Sequence, residues 1–512
     1  MGIDRAVEGP GPRGRLPRAL ALAAAAVLFG VLVTANSAGY RYGISDQSFY
    51  IPAFEHRIDP ALFPRDGALI DSQSKLTVAD EIVGGVAVST GLALPALFFA
   101  GYLATVVLFV AAVAAIGGRL YASPWSVLGL GLALTLRHRI AKTGVNTFEG
   151  YFHPRVLTFA IGLLAVGMLL RERRGPAIAL ACLGILVHPT TGVWFAVWIG
   201  VALAMSAPVP RGAVVAGTAA AAACALALVV WGPLKGALTV MDPAWMSVLA
   251  ERDYLYPTEW RAGTWAVNAL APLVVGGVFL WRRRLGLTTP VESGLATGAA
   301  TLLAIFVASL PFIAARLALA VQLQTSRVLW QIEVWAIVYL VWALCEAQWM
   351  PAIAPRRRQV AIVALLALVS TVRGAYILQV EHDHRLVRAD LPPTPWQRAA
   401  DWIRRNSPPD AHVLADPDHA HRYGVSFRIA GRRDVFLERA KDAAIAIYSR
   451  PLAMQITERR AALGDFYDLT PTELAALDQR YDLDFLITEQ RLPLPVARSE
   501  GPLRIYRLDA RP

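Results

Sequence analysis

The sequence predicts an α-helical polytopic membrane protein of about eleven transmembrane helices, followed by a small extracytoplasmic α/β domain. Three observations predict it. Of 512 residues, 56% are hydrophobic and only 17% are charged, whereas soluble domains carry about 25% charged residues. Long apolar runs recur from residue 19 to residue 378, and arginine clusters punctuate them. From Glu381 the composition turns to that of a soluble chain, with amphipathic patterns and proline-bounded turns.

The elements follow in order. Residues 1–18 are rich in Gly, Pro and Arg and read as a disordered cytoplasmic segment. Arg13, Arg15 and Arg18 precede the apolar run 19–35. A signal peptide starts similarly, but no small-residue cleavage site leads into a soluble domain, so 19–35 reads as a retained first span. A polar loop, 36–93, comes next. It carries Tyr42, Asp46, Gln47, Glu55, His56, Asp59, Arg65, Asp66, Asp71 and Lys75, and an interfacial helix at 80–92 closes it. Loops beyond about 12–15 residues are usually functional or disordered. The Tyr and Phe content of this one argues against disorder.

Further spans read at 94–117, 121–136, 156–170, 176–188, 190–206, 212–232, 264–281, 295–313, 328–346 and 359–378. The runs 121–136 and 176–188 fall below the roughly 20 residues a crossing helix needs, which implies tilt, kinks or helical extensions. The arginine clusters at 13–18, 171–174, 282–284 and 356–358 all fall on one side of this count. Lys and Arg accumulate in cytoplasmic loops, so that side reads as the cytoplasm. The segments 36–93, 137–155 and 232–263 and the carboxyl terminus then lie outside. The same clusters explain the net charge of +11, which leaves nucleic-acid binding without support. Cys182, Cys224 and Cys345 sit in apolar runs, where buried single thiols are expected, with no disulfide and no cysteine metal site.

Pro392-Pro393-Thr394-Pro395 reads as a linker into a helix at 394–405. Strands are expected at 411–415, 434–437, 485–488 and 503–508. A helix at 468–480 opens on Thr470-Pro471-Thr472-Glu473. Together 381–512 form an α/β domain of about 120 residues, enough to bury a core.

Polar residues at the edges of spans are functional candidates by default. Asp46, near the outer surface, suits a general base; capping the next helix is the plainer alternative. Glu149, Tyr151, His153, Pro154 and Arg155 precede the span 156–170, where His153 and Arg155 suit an anionic headgroup and Glu149 a sugar hydroxyl; a snorkelling interfacial belt is the alternative. His188 stands before Pro189 at a helix break, where either a cavity or ordinary packing fits. Arg327, with Gln322, Gln324 and Ser326, precedes the span 328–346 and suits a phosphate; interface anchoring is the alternative. Asp416, Asp418, His419 and His421 form a run that fits a metal or a solvated turn. Gly-rich nucleotide loops, HExxH and GxSxG are absent.

The arrangement resembles the GT-C superfamily of membrane glycosyltransferases. The short amino terminus, the first span, the long first outer loop holding Asp46 and the Glu149…Phe152-His153-Pro154-Arg155 stretch carry the resemblance, with the His188-Pro189 break, Arg327 before a late span and the external tail. ISDQSFYIPAF…DPALFPRD is similar to bacterial members of unassigned function. The resemblance implies transfer of a sugar from a polyprenyl-phosphate donor to a glycan, lipid or protein acceptor at the periplasmic face of the bacterial inner membrane. It implies Asp46 as base, Arg327 with Arg155 or His153 on the donor phosphate, and Glu149, His188, Tyr42 and Gln47 as substrate contacts. The implied partners are the bilayer and the lipid-linked donor, with no cofactor. The pattern departs in two places. Ser45 and Gln47 flank Asp46, so an adjacent acidic pair is missing, and the tail has no WWD-type motif. Metal dependence and protein N-glycosylation are therefore not expected. The rival readings are a transporter or flippase for a lipid-linked glycan and a non-catalytic member whose tail binds a partner.

Overall fold

A computed structural model describes residues 12–74, 76–206, 211–232, 234–349, 354–380 and 384–508. Of the amino-terminal segment expected to be disordered, 1–11 lie outside the described residues, and 12–18 already belong to the helix Pro12–Asn36.

Every expected span is a helix. Among the described residues, 6 helices are long and apolar enough to cross a membrane: Leu94–Leu120, Pro189–Ser206, Ala262–Arg284, Pro290–Ala314, Ala318–Cys345 and Pro355–Val380. The others are shorter apolar helices, Ala23–Asn36, Pro124–Thr135, Pro154–Leu170, Arg174–Val187 and Val215–Val230. Pro124–Thr135 rises only about 18 Å, against roughly 30 Å of hydrocarbon. Proline explains several starts, since its missing N–H costs nothing in a first turn. Pro124 and Pro154 begin two helices, and Pro189 separates Arg174–Val187 from Pro189–Ser206. Small residues set the close crossings: a Cβ on Gly192 would lie 2.4 Å from the Gly184 carbonyl carbon, and one on Gly167 would lie 2.6 Å from the Ala115 Cβ. Phe159 stacks on Trp330 at 3.7 Å in the bundle core. The cysteines are all free, but Cys182 and Cys224 face outward, and only Cys345 is buried.

The arginine-bearing connections gather at one end of the bundle. Arg119 donates to the Leu170 carbonyl, Arg171 to Ala115 and Arg358 to Cys345. Buried Arg282 pairs with Glu292 at 2.7 Å. At the other end of the helix Pro154–Leu170, the first loop folds into the helices Gln47–Ile58, Gly67–Ser74 and Ala79–Thr90.

The carboxyl-terminal region carries a five-stranded sheet in the order 434–435, 412–415, 485–488, 503–507, 496–500. The first three are parallel and the last two add antiparallel. The expected helices appear at Pro395–Asn406 and Pro471–Tyr481, the latter with a Thr470–Glu473 capping box. The strand expected at 434–437 shrinks to Asp434–Val435. Val496–Glu500 was unexpected because it is a mostly exposed edge strand of polar residues with no apolar alternation to read. The helix Arg450–Leu463 was unexpected as well.

This region is clamped to the first loop rather than hung from a linker. Tyr40–Arg41 pairs in parallel with Val387–Arg388. Asp434 accepts from the Arg65 and Asp66 backbone N–H groups. Buried Arg428 donates to Asp66 at 2.7 Å and to Asp442 at 2.6 Å. In the Asp416–His421 run, His419 is buried beside Trp396, Asp416 accepts from Tyr467, and the described residues hold no cluster of three metal-ligating side chains.

Candidate active site where the first loop meets the bundle

Ser45 takes a left-handed backbone, φ 54°, immediately before the helix Gln47–Ile58. Asp46 occupies the cap position of that helix, yet its side chain makes no capping bond. Its carboxylate turns instead toward His153 Nε2 at 3.3 Å, Arg155 at 3.6 Å and Lys441 at 3.6 Å. Desolvation opposes its ionisation, but the His153 hydrogen bond and the Lys441 and Arg155 charges prevail and hold the carboxyl well below the usual range. The side chain remains 31% exposed, toward a cavity.

His153 caps the helix Pro154–Leu170. Its Nδ1 accepts the Arg155 backbone N–H at 3.0 Å, so the neutral ring carries its proton on Nε2, facing Asp46. Burial, then the charge of Arg155, pushes the imidazole pKa down. Arg155 donates to Glu149 at 2.7 Å, both buried. Glu149 is thus the counter-ion of Arg155 and does not itself line the cavity. His188 lines it from the helix break, its ring 6.2 Å from that of His153.

Arg327 arrives through a turn started by Gln324, φ 48°, and begins the helix Val328–Cys345. It is only 9% exposed. Its Nε has no hydrogen-bond partner, and among the described residues no carboxylate pairs with it. Removing a charge from water without a partner is costly, so this guanidinium is a standing demand for an anion.

Asp46, His153, Arg155, His188 and Arg327 line one cavity of about 200 Å³. The expected contacts Tyr42 and Gln47 do not. Tyr42 is buried edge-on against Phe98. Gln47 accepts from the Gly43 N–H and donates to the Phe152 carbonyl, tying the loop to the helix entrance that holds His153. Their side chains are committed to packing and backbone bonds.

Sequence reasoning missed the far wall. Arg252 and Tyr254 come from the 232–263 loop, and His421, Lys441 and Tyr448 from the carboxyl-terminal domain; of these the sequence singles out His421 alone, and as part of the Asp416–His421 run, not of this cavity. Lys441 is one of four lysines among 49 basic residues, and that rarity is the one signal the sequence offered for it. Arg155, Arg252, Arg327 and Lys441 face a cavity whose lining holds a single carboxylate, Asp46. The arrangement can hold an anion of more than one charge beside a proton acceptor.

No family model matches the chain, and no curated protein matches it. Among solved structures, it is similar to the crystal structure of an Archaeoglobus fulgidus oligosaccharyltransferase in complex with Zn and sulfate. The identity is 12% and the TM-score 0.44, over 91% of this chain and 67% of that one.

Proposed function

We propose that the chain is a glycosyltransferase that moves a sugar from a polyprenyl-phosphate donor to an acceptor hydroxyl at the non-cytoplasmic membrane face. The observation that carries this reading is the meeting of Asp46 with Arg327, which has no ion-pair partner among the described residues, on one cavity at the opposite end of the bundle from the arginine-rich connections. A phosphate carried by a lipid enters from the headgroup plane and meets Arg327 at the mouth of its helix, with Arg155 and Arg252 beside it.

The chemistry follows from the residue types. The acceptor oxygen attacks the anomeric carbon and its proton passes to an Asp46 oxygen. The bond from the anomeric carbon to the phosphate oxygen breaks, and the polyprenyl phosphate leaves with one further negative charge. Cations already in place stabilise that charge without reorganising. A carboxylate held at a depressed pKa is a weak base. Donor binding corrects this, because an anion that engages Arg155 weakens the hold of Arg155 on Asp46 and raises its basicity.

The test is donor turnover in liposomes loaded with synthetic polyprenyl-phosphate sugars. Asp46→Asn is expected to lower transfer by about 10²–10⁴-fold while donor binding and thermal stability persist. Full activity in that variant removes Asp46 as the base, and flux of intact donor across the bilayer with no covalent product favours a transporter.

A further inference from the structure

We propose that a second hollow, in the carboxyl-terminal domain, binds the acceptor and that the acceptor is a carbohydrate; the assignment rests on the glycosyltransferase reading above. The hollow is a crevice of about 470 Å³. It opens where Asp416 follows the strand His412–Ala415 and Leu437 follows Asp434–Val435. Ligands of α/β sheets sit outside the carboxyl ends of their strands.

Its lining has the two-sided character of a sugar ring. Leu437, Leu463 and Phe466 are buried and form an apolar floor. The rim is dense in hydrogen-bonding groups. Asp418 pairs with Arg439, 38% and 46% exposed, so acceptor and donor stand side by side. Tyr467 is 41% exposed, with Arg422 over its ring at 5.3 Å and its hydroxyl engaged by Asp416. A hexose offers a C–H face to an apolar floor and hydroxyls to such a rim, whereas a peptide adding as a strand would need a free sheet edge. Of the sheet's two edges, Asp434–Val435 is taken by the first loop, the Val435 N–H donating to Asp66, and Val496–Glu500 lies at the far side of the sheet.

The crevice adjoins the catalytic cavity. Glu251, Asp418 and Arg439 line the crevice, while Arg252, His421 and Lys441 line the cavity. Three short segments therefore wall both hollows, and Arg439 and Lys441 are within about 8 Å along the chain. In this proposal the saccharide extends past the wall that the two hollows share, toward Lys441 and Asp46.

The experiment is saturation-transfer NMR on the full chain in nanodiscs, free of glycoside detergents. The probes are methyl glycosides of glucose, galactose, mannose, arabinose and N-acetylglucosamine, with the tripeptide Ala-Asn-Thr alongside. Transfer to the ring protons of at least one glycoside is expected. It should weaken by about tenfold in Tyr467→Ala and in Arg439→Ala, and persist in Asp46→Asn. Arg439 is on the exposed rim, so its variant reads the crevice even if Tyr467→Ala fails to fold. Absence of transfer to every glycoside, a signal untouched by both crevice variants, or transfer to the tripeptide alone overturns the proposal. Hydrolysis of a polyprenyl-phosphate sugar in the same nanodiscs keeps the two readings apart. Release of polyprenyl phosphate by the wild type with silent glycosides sinks the crevice assignment, and glycoside binding with no release of polyprenyl phosphate, whether the bound glycoside is present or not, sinks the glycosyltransferase reading.

Discussion

Lys441, on a helix of the carboxyl-terminal domain, stands 3.6 Å from the carboxylate of Asp46, which belongs to the first loop. The same carboxylate is 3.3 Å from His153 at the mouth of the bundle. Three separate parts of the chain therefore converge on one carboxylate.

The lysine has a testable consequence. Its charge favours ionised Asp46, so Lys441→Met raises the Asp46 pKa in the free enzyme. The acid limb of kcat/KM then moves to higher pH, because that ratio reports groups of the free enzyme. A limb that stays in place in a folded variant separates Lys441 from the base.

Arg327 and Arg155 should respond to substitution with opposite stability. Arg327→Met removes a buried charge that no carboxylate among the described residues pairs with, Asp46 acting on it only at longer range, so thermal stability is kept or increases. Donor affinity falls, because a hydrogen bond to a charged group contributes about 1.5–3 kcal/mol. Arg155→Met strands the buried Glu149 and costs about 3–5 kcal/mol. Melting curves of the two variants, with donor-binding isotherms, decide this. Equal destabilisation would mean that Arg327 has a structural counter-charge.

Gly150 controls how closely the loop approaches the bundle. A Cβ there would lie 2.3 Å from the Gly39 oxygen and 2.6 Å from the Ser37 oxygen, both backbone atoms that cannot rotate away. Gly150→Ala should destabilise by at least about 1–3 kcal/mol. Gly175→Ala, with nothing within 4 Å of its Cβ, serves as the neutral control for the same melts.

Glu55 links stability to pH. Burial pushes its carboxyl up to about 7, against the opposing charge of Arg432 at 3.2 Å. The folded state holds this proton more tightly than the unfolded state, whose glutamate titrates at about 4.3. Its contribution is therefore complete at low pH and is lost as pH rises through the window up to about 7. Glu55→Gln should remove a loss of stability of a few kcal/mol at most between about pH 4.3 and 7, seen as a flatter fall of melting temperature across that window. An unchanged slope would place the titration elsewhere.

The sequence by itself determined the helices. Their apolar runs, starting prolines and terminal arginines are local signals, and each helix of the apolar bundle lies where its run predicted, whereas Gln47–Ile58, Gly67–Ser74 and Arg450–Leu463 have no such run. It also marked Asp46, His153, Arg155, His188 and Arg327, because a polar side chain at the edge of an apolar run stands out without knowledge of the fold. The tertiary structure decided the rest. Glu149 became a counter-ion, Gln47 and Tyr42 became packing, and Asp66 became part of a buried ion cluster around Arg428. Arg252, Tyr254 and Lys441 entered the site from segments with no local signature of it. Sequence patterns record which face of an element is apolar. Which charge meets which depends on how distant elements pack, and here that packing brings the carboxyl-terminal domain down onto the first loop and sets a lysine against Asp46.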